Sequence, residues 1–359
     1  MIKLLAVDDS ALVRKLIGQV FAAEGDFEVQ IARDGREALG LLQTFQPDVV
    51  TLDIHMPQMD GLACLDRIMV ERPTPVVMVS SLTEEGADAT LQALELGAVD
   101  FVAKPGGAVS MRMAELGPEL VAKVRAAATA KLRSSLRLKD RVRHRIGERA
   151  ERAPPLRSGP TPPRAGGQGV VLIGCSTGGP PALEAVLTPL PADFPWPIVV
   201  AQHMPQSFTG PLARRLDGIC AVEVVEVRRP LQLQPGCVYI GRGDADVVIS
   251  HRPSGLVAMA APARQDYPWH PSVERLVLSA LGVLPASQLI GVLMTGMGDD
   301  GAAAMTRLQA EGGRTIAEAE ETAVVWGMPG ELVKAGGASM VLRLEAIADH
   351  IQKLAPACP

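Results

Sequence analysis

The sequence predicts an α/β protein of two doubly wound parallel-sheet domains joined by a linker. Three observations carry this. The chain has 359 residues, room for two or three domains of about 100–200 residues each. Short apolar runs alternate with amphipathic stretches in both halves, the pattern of parallel strands connected by helices. Between the halves, Ala153–Gly169 holds five prolines and four glycines in 17 residues. Such a stretch cannot continue a helix and has little to bury. The division that follows is a first domain over 1–122, a basic helix and Pro/Gly-rich linker over 123–169, and a second domain over 170–359.

Composition removes several classes. The hydrophobic fraction is 47% and the charged fraction 21%, ordinary for a soluble globular chain and foreign to collagen, mucin or a disordered protein. The five cysteines (64, 175, 220, 237 and 358) are scattered and form no C-x-x-C pair. That speaks against a disulfide framework or a zinc site and fits a reduced, cytoplasmic compartment. No apolar run approaches the roughly 18 residues of a membrane span. The apolar start breaks at Asp8-Asp9, too early for a signal peptide, so Leu4–Val7 reads as a buried strand. The net charge of −5 hides a division: residues 123–152 carry +8 and the remainder −13. A basic run can meet nucleic acid or an acidic partner. Without an aromatic residue to stack on bases, it reads as a solvated helix, and no nucleic acid is expected.

In the first half, Lys3–Val7, Glu28–Ala32, Val49–Asp53, Val76–Ser80 and Asp100–Ala103 read as strands. Amphipathic stretches such as Ala11–Phe21 and Glu84–Leu96 lie between them. Ligands of such sheets sit beyond the carboxyl ends of the strands. The polar residues there are Asp8 and Asp9 after the first strand, Asp53 ending the third, Ser80 ending the fourth and Lys104 after the fifth. Converging carboxylates repel one another unless a cation lies between them, and a small all-oxygen site suits Mg²⁺. The ion would offset charge on an incoming phosphoryl group. Lys104 would hold another phosphoryl oxygen as a point charge, the Ser80 hydroxyl would donate to a third, and one carboxylate would act as nucleophile. The plainer alternative makes Asp8 a helix N-cap and Lys104 half of a surface ion pair. It does not explain why all five fall at strand ends.

From Lys3 to about Gly106 the chain resembles the receiver domain of two-component response regulators. The matching strings are Val7-Asp8-Asp9-Ser10, Leu52-Asp53-Ile54-His55-Met56-Pro57 with Asp60-Gly61, and Val102-Ala103-Lys104-Pro105. The resemblance implies Asp53 as phospho-acceptor. It implies Asp8, Asp9 and Asp53 as Mg²⁺ ligands, joined by the His55 backbone carbonyl. It also implies Ser80 and Lys104 as sensors of the phosphoryl group, Phe101 as the aromatic that moves with them, and a cis Lys104–Pro105 bond. The His55 side chain is expected to face solvent without chemistry.

The second half opens with the strand Val170–Ile173, then Gly174-Cys175-Ser176-Thr177-Gly178-Gly179, then the helical stretch Pro181–Leu187. This strand–turn–helix matches G-x-S-x-G, a turn that exposes a serine at the sheet edge. Its helix start is expected to offer free N–H groups to a developing oxyanion. A phosphate-binding turn would want a further spaced glycine or a lysine, and has neither. A serine nucleophile needs a base. His203 follows the strand Ile198–Gln202, His251 follows Asp246–Ser250, and His270 precedes a helix starting near Pro271-Ser272. The third member should be a carboxylate that orients the imidazole. The strand Leu289–Met294 runs into Thr295-Gly296-Met297-Gly298-Asp299-Asp300-Gly301, a glycine-rich turn that allows close backbone approach. Asp299 as a helix N-cap would leave Asp300 for the histidine. The order Ser, His, Asp is not that of an α/β-hydrolase, so the turn is a chemical analogy only.

The second half resembles the catalytic domain of the chemotaxis protein-glutamate methylesterases, the CheB family. The strings are Ile173–Pro180, Ala201-Gln202-His203-Met204-Pro205 and Leu293–Gly301, with Pro271-Ser272-Val273, Gly312–Ala317 and Gly327-Met328-Pro329 in support. With the receiver, the match covers nearly the whole chain except the linker. It implies a flavodoxin-like receiver followed by a Rossmann-like α/β esterase domain. It implies Ser176 as nucleophile, His203 as base, Asp300 as orienting acid, and Thr177 with the Met297 N–H at the oxyanion hole. The implied reaction hydrolyses glutamyl methyl esters of chemoreceptors to glutamate and methanol, and receptor glutamines to glutamate. The esterase step takes no cofactor. The implied partners are methyl-accepting chemoreceptors and a chemotaxis histidine kinase, with the protein peripheral to receptor arrays and not inserted in the membrane. The family's unphosphorylated receiver covers the esterase cleft, and phosphorylation of Asp53 loosens it. Two places depart from the family pattern: Trp269-His270 where His-Arg is usual, and Gly241-Arg242-Gly243-Asp244 where Ala-Pro-Gly-Asp is usual. The competing classes are a non-catalytic phosphorylation-dependent adaptor and a nucleic-acid-binding response regulator.

Overall fold

Largely apolar on both faces, the runs Leu4–Val7, Val49–Leu52 and Val76–Val79 suit interior strands of a covered parallel sheet. The computed structural model describes residues 1–81, 83–104, 109–130 and 169–356, in two compact units within 1–152 and 153–359. The first holds β1 (Ile2–Val7), α1 (Ala11–Glu24), β2 (Phe27–Ala32), α2 (Gly35–Thr44), β3 (Val49–Asp53), α3 (Gly61–Glu71), β4 (Val76–Ser81), α4 (Glu84–Leu96), β5 (Asp100–Lys104) and α5 (Val109–Ala128). The strand order is β2-β1-β3-β4-β5 and every pairing is parallel. Helices α1 and α5 pack together, while α2, α3 and α4 pack in sequence. The order reverses between β1 and β3, the place where open α/β sheets bind ligands.

Each of the first four helices starts on a polar cap. The side chains of Ser10, Asp34, Asp60 and Thr83 accept N–H groups from the first turns of α1 to α4, contributing about 1 kcal/mol apiece. Ser10 caps α1, so Asp8 does not. Lys123 and Arg125, part of the basic run, lie in α5 and are not free charges. Lys123 Nζ donates to the Phe101 carbonyl at 2.7 Å and pairs with Asp100 and Glu119, both at 3.3 Å. Arg125 pairs with Glu24 at 2.8 Å and Asp26 at 2.9 Å. The rest of the basic run beyond Ala130, the linker to Gln168, Cys358 and the Lys104–Pro105 bond lie outside the described residues.

The second unit contains β6 (Val170–Cys175), α6 (Gly179–Leu187), β7 (Ile198–Gln202), α7 (Gln206–Ile219), β8 (Glu223–Val227), β9 (Leu231–Gln232), β10 (Cys237–Gly241), β11 (Ala245–Arg252), β12 (Gly255–Pro262) and α8 (Val273–Leu281). It continues with β13 (Leu289–Leu293), α9 (Ala302–Ala310), β14 (Arg314–Glu318), α10 (Met328–Lys334), β15 (Met340–Leu342) and α11 (Leu344–Leu354). Seven strands form one parallel sheet in the order β15-β14-β13-β6-β7-β10-β8. Val170 and Leu172 join the core made by α8, α9 and α10. Val171 and Ile173, equally buried, point to the opposite face by strand alternation. Truncating Leu172 to alanine would cost about 2–5 kcal/mol. The chain order reverses between β6 and β13, which puts the turn after each at the ligand-binding edge.

One part of this unit departs from the sequence expectation. Strands β11, β12 and β9 form a separate three-stranded antiparallel sheet. The stretch Asp246–Ser250 therefore belongs to a hairpin and not to the parallel sheet. Its strand continues through His251, which pairs with Leu256 and is exposed. His251 thus lies near the end of a hairpin strand and not at the carboxyl edge of the parallel sheet. Two strands joined across so short a loop must run antiparallel, because a parallel pair needs a long crossover. This ribbon supports α8: the Ile249 N–H donates to Ser279 Oγ at 2.9 Å.

Candidate functional site

The first polar cluster sits at the switch point of the five-stranded sheet. Asp8 follows β1, Asp53 ends β3 and Lys104 ends β5. Lys104 Nζ lies 2.9 Å from Asp8 Oδ2 and 2.8 Å from Asp53 Oδ2. The Lys104 side chain is 25% exposed and both carboxylates are buried, so this is no surface ion pair. One carboxylate oxygen from each of Asp8, Asp9 and Asp53 falls within 4.8 Å of the others, with Asp9 on the solvent side. Burial is the largest influence on Asp53 and carries its carboxyl above the usual range, although Lys104 pulls the other way. Burial also works against the Lys104 ammonium, but Asp53 and Asp8 outweigh it and hold it above the usual lysine range. The His55 N–H donates to Asp53 Oδ1 at 3.3 Å while its side chain is exposed. Asp60-Gly61 has a steric reason: a Cβ on Gly61 would stand 2.1 Å from the Asp53 carbonyl oxygen.

Two sensor candidates are not in this cluster's hydrogen bonds. Ser80 is the penultimate residue of β4, and its hydroxyl donates to the Gly86 carbonyl in α4 at 3.1 Å. Phe101 is 4% exposed, with the Lys123 ammonium 5.1 Å from its ring centre.

The second cluster lies at the switch point of the seven-stranded sheet. Ser176 follows β6, His203 follows β7, and Asp300 lies in the turn after β13. His203 Nε2 is 2.7 Å from Asp300 Oδ2. His203 Nδ1 is buried and has no partner among the described residues. Asp300 also accepts the Val273 N–H at 2.7 Å, the Glu274 N–H at 3.1 Å and the Ser272 hydroxyl at 3.1 Å. These groups form the start of α8, where positive dipole ends favour an anion. Burial works against its charge, yet His203 and these donors outweigh it and hold the Asp300 carboxyl below the usual range. Asp299, by contrast, is exposed and does not cap α9, whose N-cap is Gly301.

Three residues that sequence reasoning does not single out hold the cluster. Gln202, 2% exposed, donates from Nε2 to the carbonyls of both Ser176 and His203 at 3.0 Å. It thereby ties the turn after β6 to the turn after β7. Thr295 accepts the Ser176 N–H on its carbonyl at 2.9 Å and donates from Oγ1 to the Thr177 carbonyl at 2.8 Å. The Thr295 N–H in turn donates to the buried Glu318 at 2.9 Å. Both Gln202 and Glu318 are buried polar residues at strand ends, a signal readable only once the strands are placed.

The helix start after Ser176 does not offer the free N–H groups that the sequence leads one to expect. Pro180 and Pro181 have none, the Gly179 N–H donates to the Ser176 carbonyl at 2.8 Å, and the Ala182 N–H is taken by the Gly178 carbonyl at 3.3 Å. Oxyanion donors must come from elsewhere. Thr177 is 3% exposed beside the serine. Met297 lies in a turn held by the Gly296 carbonyl, which accepts the N–H groups of Gly327 and Met328 at 3.1 and 3.0 Å.

A polar cluster at the switch point of each of two parallel sheets marks a two-domain α/β enzyme with one charged site and one hydrolase-type site. The chain matches the family model for the CheB methylesterase over residues 171–351 and that for the response regulator receiver domain over residues 4–114. It is 63% identical over 353 residues to protein-glutamate methylesterase/protein-glutamine glutaminase 2 of Rhodopseudomonas palustris (strain BisB18), covering 97% of this chain and 96% of that protein. It is 54% identical over 353 residues to protein-glutamate methylesterase/protein-glutamine glutaminase 3 of Rhodospirillum rubrum, covering 98% and 95%. The crystal structure of the Thermotoga maritima CheB methylesterase catalytic domain is similar at 36% identity and a TM-score of 0.50, over 53% of this chain and 99% of that one. The chain belongs to the CheB methylesterase family and carries a response-regulator receiver domain ahead of the esterase domain. These likenesses give no support to the adaptor or the nucleic-acid-binding alternative. Among the described residues, no helix is long and apolar enough to cross a membrane.

Proposed function

We propose that this chain removes methyl groups from glutamyl methyl esters of chemoreceptors, and deamidates receptor glutamines, under control of phosphorylation at Asp53. The domains are taken as 1–122, 123–169 and 170–359. The observation that carries the hydrolytic assignment is the His203–Asp300 pair. Asp300 engages Nε2, which leaves the buried Nδ1, without a partner among the described residues, as the nitrogen that takes a proton. Ser176 Oγ attacks the ester carbonyl as its proton passes to His203 Nδ1. The imidazolium then gives that proton to the departing methanol oxygen. Water, deprotonated by the same nitrogen, then attacks the acyl-serine carbonyl; the bond to Ser176 Oγ breaks, Oγ takes the proton back from His203, and glutamate leaves. Asp300 holds the imidazole tautomer and offsets its charge. Thr177 and the Met297 N–H serve the oxyanion, where one donor is typically worth about 2.7–4 kcal/mol.

In the receiver, Asp53 attacks the phosphoryl group delivered by a partner histidine kinase. The three carboxylates fit Mg²⁺, since hard oxygens converge there and Lys104 pairs with two of them. Asp8, Asp9, Asp53 and the His55 carbonyl would hold the ion, which offsets charge on the phosphoryl group when bound. Lys104 would then turn to a phosphoryl oxygen. Ser80 and Phe101 would report the change, Ser80 by giving up its bond to Gly86. The protein acts in the cytoplasm, peripheral to receptor arrays.

The test is methanol release from membranes carrying methylated chemoreceptors. Wild type, Ser176→Ala and Asp53→Asn are compared with and without a small phosphodonor and Mg²⁺. Release should vanish in Ser176→Ala and should rise with phosphodonor only where Asp53 is present. Release that survives Ser176→Ala defeats the hydrolytic assignment, and stimulation that survives Asp53→Asn defeats the regulatory one.

A further inference from the structure

The half-buried indole of Trp269 lies against the candidate base. Its plane is within 6° of the His203 imidazole and the ring centroids are 5.9 Å apart, an offset stack. The same indole covers the glycine turn after β13. A Cβ on Gly298 would stand 2.8 Å from Trp269 Cη2 and Cζ2, so only glycine lets the ring lie flat there. One side chain thus touches His203 and the residue next to Met297.

The segment bearing this indole is held on several sides. The Met204 N–H, one residue beyond His203, donates to the His270 carbonyl at 3.4 Å. Asp246, fully buried, accepts His270 Nδ1 at 2.8 Å and the Ser272 N–H at 2.7 Å on Oδ1. Arg275 pairs with its other oxygen and donates to the Pro262 carbonyl at 2.8 Å. The carboxylate therefore anchors the chain just after Trp269, and Ser272 carries the connection on to Asp300 at 3.1 Å. A residue fixed this firmly, with its ring parallel to an imidazole, is placed to act on that imidazole.

We infer that Trp269 is a positioning residue for ester hydrolysis, acting through His203. This rests on His203 being the base. When Ser176 Oγ bonds to the ester carbonyl carbon, its proton moves to His203 Nδ1 and the ring becomes an imidazolium. That cation then lies between the Asp300 carboxylate at its edge and the π face of Trp269. An aromatic face within about 6 Å of a cation attracts it. The interaction is far weaker with the neutral ring, so it favours the transition state over the ground state and belongs in kcat. The indole also holds the ring plane and keeps water off one face. The methyl ester itself need not touch Trp269, so KM should hardly respond.

The experiment replaces Trp269 with Phe, Leu and His, and measures kcat, KM and the unfolding midpoint in the methanol-release assay, with Ser176→Ala alongside. Phe and His keep an aromatic face over His203; Leu fills much of the space without one. The expected result is a kcat within about 3-fold of wild type for W269F and W269H, and about 10-fold lower for W269L, with KM within about 2-fold throughout. Equal losses in W269F and W269L, a loss confined to KM, or full activity in W269L would overturn the inference. Should W269L fail to fold, a drop of W269F and W269H to a tenth of wild-type kcat or less would overturn it equally. Release that survives Ser176→Ala would instead unseat the assignment of the base and nucleophile, an outcome the other variants cannot mimic.

Discussion

Asp53 and Asp300 are both buried carboxylates at or beyond the carboxyl ends of parallel strands, each beside a cationic or proton-bearing partner. Their charges are held in opposite senses. Among the described residues, Asp53 has one ammonium, which it shares with Asp8, and a single long bond from the His55 N–H. Burial wins there, and its carboxyl rises above the usual range. Asp300 receives His203, a serine hydroxyl and two N–H groups at a helix start. There the donors win, and its carboxyl falls below the usual range. Burial alone does not decide the state of an acid; the number of donors converging on it does. The under-supplied carboxylate suits a group that must react, and the fully supplied one a group that must stay ionised and still.

The sharpest way to break this comparison is to remove the charge that is best supplied. Asp300→Asn keeps the shape but can no longer accept from every donor, and its amide favours the wrong histidine tautomer. Methanol release should fall about 10⁴-fold in kcat, with KM little changed. The lost bonds at the α8 start should also cost about 2–3 kcal/mol in urea unfolding. The sign with pH follows from the lowered carboxyl. Its stabilisation is complete above the unfolded-state value of about 3.9 and is lost as pH falls through the folded value, so wild type and variant converge only in strong acid. A kcat within 10-fold of wild type would mean that Asp300 is a helix anchor and not the orienting acid.

The second test acts on the poorly supplied site. Lys104→Met leaves Asp8 and Asp53 buried together without their shared cation. In chelator, the receiver should lose about 3 kcal/mol, seen as a lower urea midpoint for that unit. Millimolar Mg²⁺ should restore much of the loss, because an ion bound only by the folded state stabilises it by mass action. A variant as stable as wild type in chelator would show that the two carboxylates do not depend on Lys104 for charge balance.

What the sequence reveals of these sites, and what it hides, follows from how each contact is made. Interior parallel strands are largely apolar, so β3, β7 and β13 can be bounded within a residue by inspection, and Asp53, His203 and Asp300 can be placed at or beyond their ends. The hairpin of β11 and β12 mixes buried positions with partly and fully exposed ones, and its pairing partner cannot be read from one strand. It is therefore mistaken for another parallel strand. Gln202, Thr295 and Glu318 support the site through hydrogen bonds between segments 23 to 118 residues apart, and no local pattern marks such bonds. Trp269 stands out in the sequence as a departure from the family, but its stack on His203 depends on Asp246, 23 positions earlier in a different sheet. The helix start after Ser176 misleads for a simpler reason. A helix N-terminus usually offers free N–H groups, and two prolines remove that offer.

The smallest expected effect sharpens the comparison most. If burial governs Asp53, replacing it by Asn removes a charge that the folded receiver holds at a cost. In chelator at neutral pH, Asp53→Asn should therefore stabilise the receiver by about 1 kcal/mol or less, opposite in sign to Asp300→Asn. For an acid whose folded-state carboxyl is raised, the folded form binds the proton more tightly than the unfolded chain. Wild-type stability is then fullest below the unfolded-state value of about 3.9 and is lost as pH rises through the folded value. The two receivers should converge in acid and separate toward neutrality, with the variant the more stable. Adding Mg²⁺ should reverse the order, since wild type then gains from an ion that the amide holds poorly. Urea midpoints of both proteins at pH 3.5 and pH 7, with chelator and with Mg²⁺, decide it. A variant less stable than wild type at pH 7 in chelator would show that the bond to Lys104 outweighs burial at Asp53, and the contrast with Asp300 would reduce to a difference of degree.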